Sequence, residues 1–314
     1  MTEREVHLGI VVYYWGWRSQ DRLLVECLGP LAREFGQQGL ADRFWFDRFD
    51  ARGPHLFAIV TVQAPALPEV AARAVAVLES YLAAQPSREE MSCEEIAARH
   101  AECRGKRQCA VDGYPGLATN NTFHVFTHPI QAYPFWLSAG LPREADLWCL
   151  LSDLAFWAIE QLAPLDESSP TASAVWLAAA IDRELQHVGS PAAEYWRYHA
   201  TTLLLGFADR LQEREADVIG GLASAIGVHN RQALLDAWRW CEEHPPLWPE
   251  LPRLTQCLAS EVLSESRRWP LLREILHSAL KQLGVPVAQH VPLVLFAWQR
   301  NLPVTAAGHG EERR

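Results

Sequence analysis

GLADRFWFDRFDARGPHLFAIV, residues 39–60, decides the fold. Its first half, Phe44-Trp45-Phe46-Asp47-Arg48-Phe49, is aromatic, and the run from His55 to Val62 is apolar and β-branched, so both read as strands. Between them Asp50-Ala51-Arg52-Gly53-Pro54 has the chemistry of a hairpin loop. An arginine inside such a strand needs a carboxylate or must face a cleft, because an unpaired buried charge is prohibitive. Arg48 therefore either pairs with Asp47 or Asp50 at the sheet edge or turns toward a ligand.

Outward from the hairpin the pattern completes a layer. Val6 to Tyr14 reads as a strand, and Asp21 to Phe35 as a helix carrying Leu23, Leu24, Cys27, Leu28, Leu31 and Phe35 at helical spacing. Ala66 to Ala84 returns to helix. Strand, helix, strand, strand, helix opens a ferredoxin-like antiparallel α+β layer. A short helix is expected over Cys93–Glu102, then a charged, glycine-rich loop, then a further strand over Thr119–Thr127. From Leu147 the period changes to 3.6, with helices expected over Leu147–Leu162, Thr171–Val188, Ala192–Leu211, Arg231–Glu243, Leu254–Glu265, Pro270–Leu283 and Gln289–Asn301. Pro170, Pro191 and Pro270 stand at or near helix starts, where a missing N–H costs little. The predicted class is α+β: an N-terminal antiparallel ferredoxin-like sheet packed against a mainly helical C-terminal half. Residues 1–304 are expected to form one unit, mixed over 1–146 and helical over 147–304, with 305–314 a disordered tail.

Composition narrows the function classes. The 314 residues are 49% hydrophobic and 21% charged, a globular balance. A formal net charge of −10 argues against a nucleic-acid backbone as partner. The charged start Met1–His7 has no signal-peptide character, and no apolar run reaches the roughly 18 residues of a membrane span. The expected location is cytoplasmic, away from the membrane. Seven scattered cysteines read as reduced thiols. Thirteen tryptophans are many for this length; most must fill core positions, but a surplus often lines a groove for an extended ligand.

No P-loop, dinucleotide fingerprint, nucleophile elbow or H-E-x-x-H motif occurs. Cys93, His100, Cys103 and Cys109 lie close together, yet without the paired spacing of a zinc site. Glu184-x-x-His187 and Glu274-x-x-His277 have the spacing of di-iron carboxylate sites, but chance supplies about one such match in a chain with these counts. Neither metal nor cofactor is expected.

The hairpin stretch, preceded by a strand and a helix ending LGPLAREFGQQ, resembles the small elimination domain of lantibiotic dehydratases and the thiopeptide pyridine synthases. The shared pattern is an aromatic strand with an arginine, a turn, and Gly/Asp-Pro-His. ATNNTFHVF, Ala118–Phe126, is similar to the Asp/Asn-Asn-Thr/Ser strand of the pyridine synthases. LVLFAWQRNLPV, Leu293–Val304, resembles the last helix of the family, which ends in an Asn-Arg pair. There are departures. Eliminating domains follow Pro-His with arginines that hold the glutamyl carboxylate, where this chain has Phe57 and Ala58. They carry histidines in the last helix, where this chain has Phe296 and Trp298, and Pro292 and Gln299 stand where polar or asparagine residues are expected.

The resemblance implies an enzyme of ribosomal peptide tailoring. The first activity it implies is the formal [4+2] cycloaddition of two dehydroalanines into a six-membered nitrogen ring, with loss of water and leader peptide. The alternatives are elimination of glutamate from glutamylated serine or threonine, and a non-catalytic role in binding a leader peptide. The partner is a precursor peptide, with other biosynthetic enzymes or a second copy of the chain as further partners. In this reading Arg48 orients substrate carbonyls with His55 alongside, His124 moves protons, Asn120 and Asn121 hold a peptide amide, and Trp298 packs on the substrate while Arg300 bonds carbonyls near it. Trp15 and Trp17 line a groove for the leader. Each residue also has a structural reading. Arg48 then braces the sheet, His124 and Asn121 bond neighbouring strands, Arg300 caps its own helix, and the tryptophans lie beneath the first helix.

Overall fold

The computed structural model describes residues 5–49, 52–92, 94–95, 117–128, 144–162, 171–187, 195–199, 234–236, 238–239, 243, 276–285 and 287–300. Four strands, β1 (Glu5–Tyr13), β2 (Ala41–Phe49), β3 (His55–Gln63) and β4 (Thr122–His128), form one sheet in the order β2-β3-β1-β4. Each neighbouring pair is antiparallel. With α1 (Trp17–Leu23) and α2 (Gly29–Gln37) between β1 and β2, and α3 (Leu67–Ala84) between β3 and β4, this is the expected ferredoxin-like layer.

The register sorts the side chains into two faces. Leu8, Ile10 and Val12 align with Val60, Ala58 and Leu56, and on β2 with Phe44, Phe46 and Arg48. Apart from the partly buried Phe44, these are buried, and they make the inner face beneath the helices. On α3 the buried residues Val70, Ala74, Leu78 and Leu82 recur every fourth position, which turns one face of the helix to the core.

The helix expected over Asp21–Phe35 starts earlier, at Trp17, and is not continuous. A π-turn, Leu24–Leu28, separates α1 from α2. Pro30 explains it: without an N–H it cannot bond the carbonyl four residues back, so the turn before it widens. Gly29 permits the widening. Its N–H bonds the Leu24 carbonyl, and a Cβ there would lie 2.9 Å from that oxygen.

The C-terminal half supplies α4 (Glu144–Leu162), α5 (Thr171–His187), α6 (276–282) and α7 (Val287–Arg300). These agree with four expected helices. Residues 195–199 and the described positions within 234–243 are helical as well. The expected helices over Cys93–Glu102 and Leu254–Glu265 and the tail 305–314 fall largely or wholly outside the described residues. On α7 the run Leu293–Ala297 is buried all round, as befits a helix inside the molecule. The helical half closes the open edge of β2. The Phe46 amide donates to Ser152 Oγ of α4 (3.0 Å), and the Phe46 carbonyl accepts from Gln282 Nε2 of α6 (2.7 Å). Phe156 of α4 packs on Phe44 and Phe46, with ring centres 6.0 and 5.3 Å apart. An edge strand that would otherwise recruit other chains is thereby satisfied.

Candidate active site on the outer face of the sheet

The odd-numbered residues of β1–β3 and the even-numbered residues of β4 make the outer face. One row across it reads Phe49, His55, Tyr13 and Thr122. The next reads Asp47, Phe57, Val11 and His124, and the third reads Trp45, Ile59, Gly9 and Phe126. In an ordinary sheet the third row would carry a side chain at Gly9. Here Phe126 lies over that position, so close that a Cβ would meet its ring at 2.7 Å. Phe126 also lies parallel to Phe57, 6.2 Å away and tilted by 7°. Phe126 is 39% exposed, the one exposed large hydrophobic side chain among the described residues.

Polar groups gather at one end of this aromatic floor. The Tyr13 ring sits between two imidazoles, 4.8 Å from His55 and 6.2 Å from His124. His55 Nδ1 lies 2.9 Å from the Gly53 carbonyl, which can only accept. That nitrogen therefore carries the hydrogen, and Nε2 is the one that gains and loses a proton. Trp15 presses its indole edge against Gly53, where a Cβ would come within 2.9 Å of Nε1. The φ of +106° at Gly53 and the close indole both call for glycine. The Trp15 indole N–H is buried and has no acceptor among the described residues. A dry, unsatisfied donor costs roughly 1–3 kcal/mol, so its persistence asks for a ligand or a functional reason.

Asn120 and Asn121 form a clamp behind Trp15. Asn120 Oδ1 accepts from the Trp15 amide at 3.0 Å, and its Nδ2 donates to the Glu89 carbonyl at 2.9 Å. Asn121, in the left-handed region at φ 60°, accepts from the Ser87 amide (2.7 Å) and donates to the Ser87 carbonyl (2.9 Å). Ser87 Oγ closes the circuit by donating to the Trp15 carbonyl at 2.6 Å. Beside α1, a cleft of about 600 Å³ is lined by Tyr14, Arg22, Gln85, Ser87, Arg88 and Glu89.

Arg48 belongs to the inner face, opposite His55. It is fully buried. Nη2 pairs with Asp21 of α1, Nη1 donates to Gln20 Oε1 at 3.3 Å, and Nε donates to the Gln282 carbonyl at 2.8 Å. Its neighbour Asp47 faces the other way and meets Lys281 of α6, with Nζ 2.7 Å from Oδ2. The Lys281 ammonium also stands 3.8 Å over the Phe49 ring. Burial pushes the Asp47 carboxyl above the usual carboxylate range, and Lys281 opposes the shift.

Of the residues singled out in the sequence, the structure thus gathers His55, His124 and Trp15 at one end of the outer face. Asn120 and Asn121 stand behind Trp15, and Arg48 lies on the opposite face. Arg300, exposed in the last turn of α7, stands 5.3 Å over the Trp238 ring. Trp17 is the first residue of α1 and Trp298 lies on α7, but their side chains are outside the described residues, as are Cys93, His100, Cys103, Cys109 and Glu274. Among the described residues no group of three or more histidine, cysteine or carboxylate side chains is placed to hold a metal ion. No described helix is long and apolar enough to cross a membrane. The sequence reading missed Tyr13, Phe126 and the Asp47–Lys281 pair. Alternation along β1 marks Tyr13 as sharing a face with Val11 and Gly9, but only the register sets it between two histidines.

Fold and site define an α+β unit with an aromatic sheet face and titratable side chains at one end of it. A family model described as the lantibiotic biosynthesis dehydratase C-terminal region matches residues 9–284, and the chain belongs to that family. Among solved structures it is similar to the pyridine synthase TbtD from thiomuracin biosynthesis, at 20% identity and TM-score 0.63 over 95% of this chain and 97% of that one. It is also similar to TsrL, at 14% identity and TM-score 0.47 over 94% of each chain. The tRNA-dependent lantibiotic dehydratase MibB from Microbispora sp. 107891 matches at 16% identity and TM-score 0.49, over 96% of this chain and 28% of that one. Among curated proteins no relative matches at a significant level.

Proposed function

We propose that the protein tailors a ribosomally made precursor peptide, joining two dehydroalanines in a formal [4+2] cycloaddition that closes a six-membered nitrogen ring and then releases water and the leader. The observation that carries this reading is the gathering of Trp15, Tyr13, His55 and His124 at the end of an aromatic floor. Membership of the dehydratase C-terminal family and likeness to a pyridine synthase along nearly its full length support it.

The chemistry asks for two things. Two distant parts of one peptide must be held together, and protons must move during the amide-to-iminol shift and the aromatisation. Flat, conjugated dehydroalanine units suit the Phe57–Phe126 surface. The buried Trp15 indole N–H would donate to a peptide carbonyl, the partner it lacks among the described residues. His55, with its tautomer fixed by Gly53, and the exposed His124 would exchange the protons. Asn120 and Asn121 would act by holding Trp15, and Arg48 by bracing the sheet from behind. No cofactor enters this reading.

The test is mass spectrometry of a dehydroalanine-containing precursor incubated with the pure protein. The expected products are a released leader and a cyclised core lighter by water. An untouched precursor would overturn the proposal. Loss of glutamate from a glutamylated precursor, with no ring formed, would move the assignment to elimination.

A further inference from the structure

Tyr13 ends β1, a strand paired on both sides, with His55 opposite it on β3 and Thr122 opposite it on β4. Its ring lies 4.8 Å from the His55 ring and meets His124 edge-on at 6.2 Å, while Phe49 stacks on the same His55 at 5.6 Å. Strand pairing and ring contacts on two sides leave this side chain little freedom. Tyr13 is only 7% exposed, yet its hydroxyl makes no hydrogen bond among the described residues. A buried tyrosine ordinarily finds a partner for that group. The hydroxyl is not among the enclosed polar atoms that lack partners, so the small exposed area of Tyr13 includes it. It is held in place, unpaired and open to a ligand.

Two residues further on, the Trp15 indole N–H is a second donor without an acceptor among the described residues. Trp15 presses on Gly53, whose carbonyl bonds His55 Nδ1, so indole and imidazole are fixed through one glycine. An indole N–H only donates, and a phenol can donate as well as accept. This end of the floor therefore offers hydrogens and calls for an oxygen acceptor. Beside it the exposed His124 makes no side-chain hydrogen bond among the described residues.

We propose that Tyr13 is a catalytic residue of the peptide-tailoring site, its hydroxyl donating to the carbonyl oxygen of the amide that becomes an iminol. This rests on the function proposed above. The amide is the one whose nitrogen belongs to a dehydroalanine. In that step the N–H bond breaks, its electron pair becomes the C=N bond, and the C=O π pair moves onto oxygen. His124 takes the proton from nitrogen and returns it to the oxygen, so the imidazole ends as it began and nothing is oxidised or reduced. Tyr13 keeps its own proton throughout. It acts on the negative charge that oxygen carries between the two transfers, where a donor fixed in advance has its largest effect. The edge contact of Tyr13 with His124 keeps donor and proton carrier side by side.

Kinetics and binding of the full chain with the dehydroalanine-containing precursor test this. Tyr13→Phe keeps the ring between the two imidazoles and removes the hydroxyl alone. It should melt as the wild type does, bind the precursor with unchanged affinity in fluorescence anisotropy, and lose about 10²–10³-fold in kcat, the scale for one such donor. Tyr13→Leu removes the ring as well and should lower the melting temperature too. A Tyr13→Phe protein that converts the precursor at the wild-type rate overturns the proposal, whatever Tyr13→Leu does, and leaves the tailoring reading standing. A loss in Tyr13→Phe matched by a fall in melting temperature or in affinity also overturns it, because the hydroxyl would then serve the fold or the bound ground state. A wild type that leaves the precursor untouched sinks both readings.

Discussion

Arg48 shows what a single buried charge demands. Its guanidinium is fully enclosed, and Asp21 carries the opposing charge while Gln20 and Gln282 bond the remaining nitrogens. Removing the counter-charge from such a set leaves the enclosed guanidinium uncompensated, a loss of about 3–5 kcal/mol. Asp21→Ala is therefore expected to lower the unfolding free energy by that amount in urea titrations, with the slope unchanged. His290 gives a second prediction at this scale. Buried and neutral, it is held down to about 4 against an ordinary 6.5. Because the unfolded chain binds that proton more readily, stability is fully present above pH 6.5 and declines as pH falls toward 4, by roughly 3 kcal/mol. His290→Gln should flatten that part of the stability–pH curve; an unchanged acid limb would mean that other groups govern it. The sequence showed that Arg48 must either be paired or face a cleft. It did not show the partner, since Asp47 and Asp50 are nearer along the chain and Asp21 arrives only when α1 packs on the sheet.

At the scale of elements, two glycines in tight places predict opposite outcomes. A methyl at Gly29 would press on the Leu24 carbonyl and on Phe156, and a backbone oxygen inside a π-turn cannot yield. Gly29→Ala should cost about 1–3 kcal/mol, the usual penalty of overpacking. A methyl at Gly9 would meet first the end of the Phe126 ring, which is exposed enough to swing away. Gly9→Ala should leave the melting temperature within a few degrees yet displace Phe126 from Phe57, and so weaken binding of the dehydrated peptide in fluorescence anisotropy. Equal loss of stability in both variants would contradict this contrast. The strands and long helices were legible because their periodicity is strong, as in Val70, Ala74, Leu78 and Leu82 of α3. The π-turn was not. Leu23, Leu24, Cys27, Leu28 and Leu31 keep helical spacing through it, and only Pro30 signals the break. The site was legible in part. His55 and His124 lie on strands whose sequences drew attention, but their meeting across Tyr13 depends on a register that no local pattern fixes.

At the scale of the molecule, the question is what joins the sheet to the C-terminal helices. Three contacts run from β2 to the end of α6: Gln282 Nε2 to the Phe46 carbonyl, Arg48 Nε to the Gln282 carbonyl, and Lys281 to Asp47. The last is the only one of the three whose two side chains both ionise, so it makes the joint sensitive to pH. Burial already holds the Asp47 carboxyl above its ordinary 3.8, with Lys281 as the main opposing influence. Lys281→Met removes that influence and raises Asp47 further. A carboxyl raised in the folded state favours folding below its unfolded value, and that contribution is lost as pH climbs through the folded value. The destabilisation caused by Lys281→Met should thus be small near pH 4. It should grow toward pH 7 to about 3–5 kcal/mol, the scale for stranding one member of a buried pair. Asp47→Asn in the same chain should recover much of the loss at pH 7, because no charge is then stranded, and the pH dependence should vanish. Urea titrations of the wild type, both single variants and the double variant at the two pH values close the cycle. A Lys281→Met penalty that is the same at both pH values, or that Asp47→Asn fails to relieve, would show that the halves are held by packing alone.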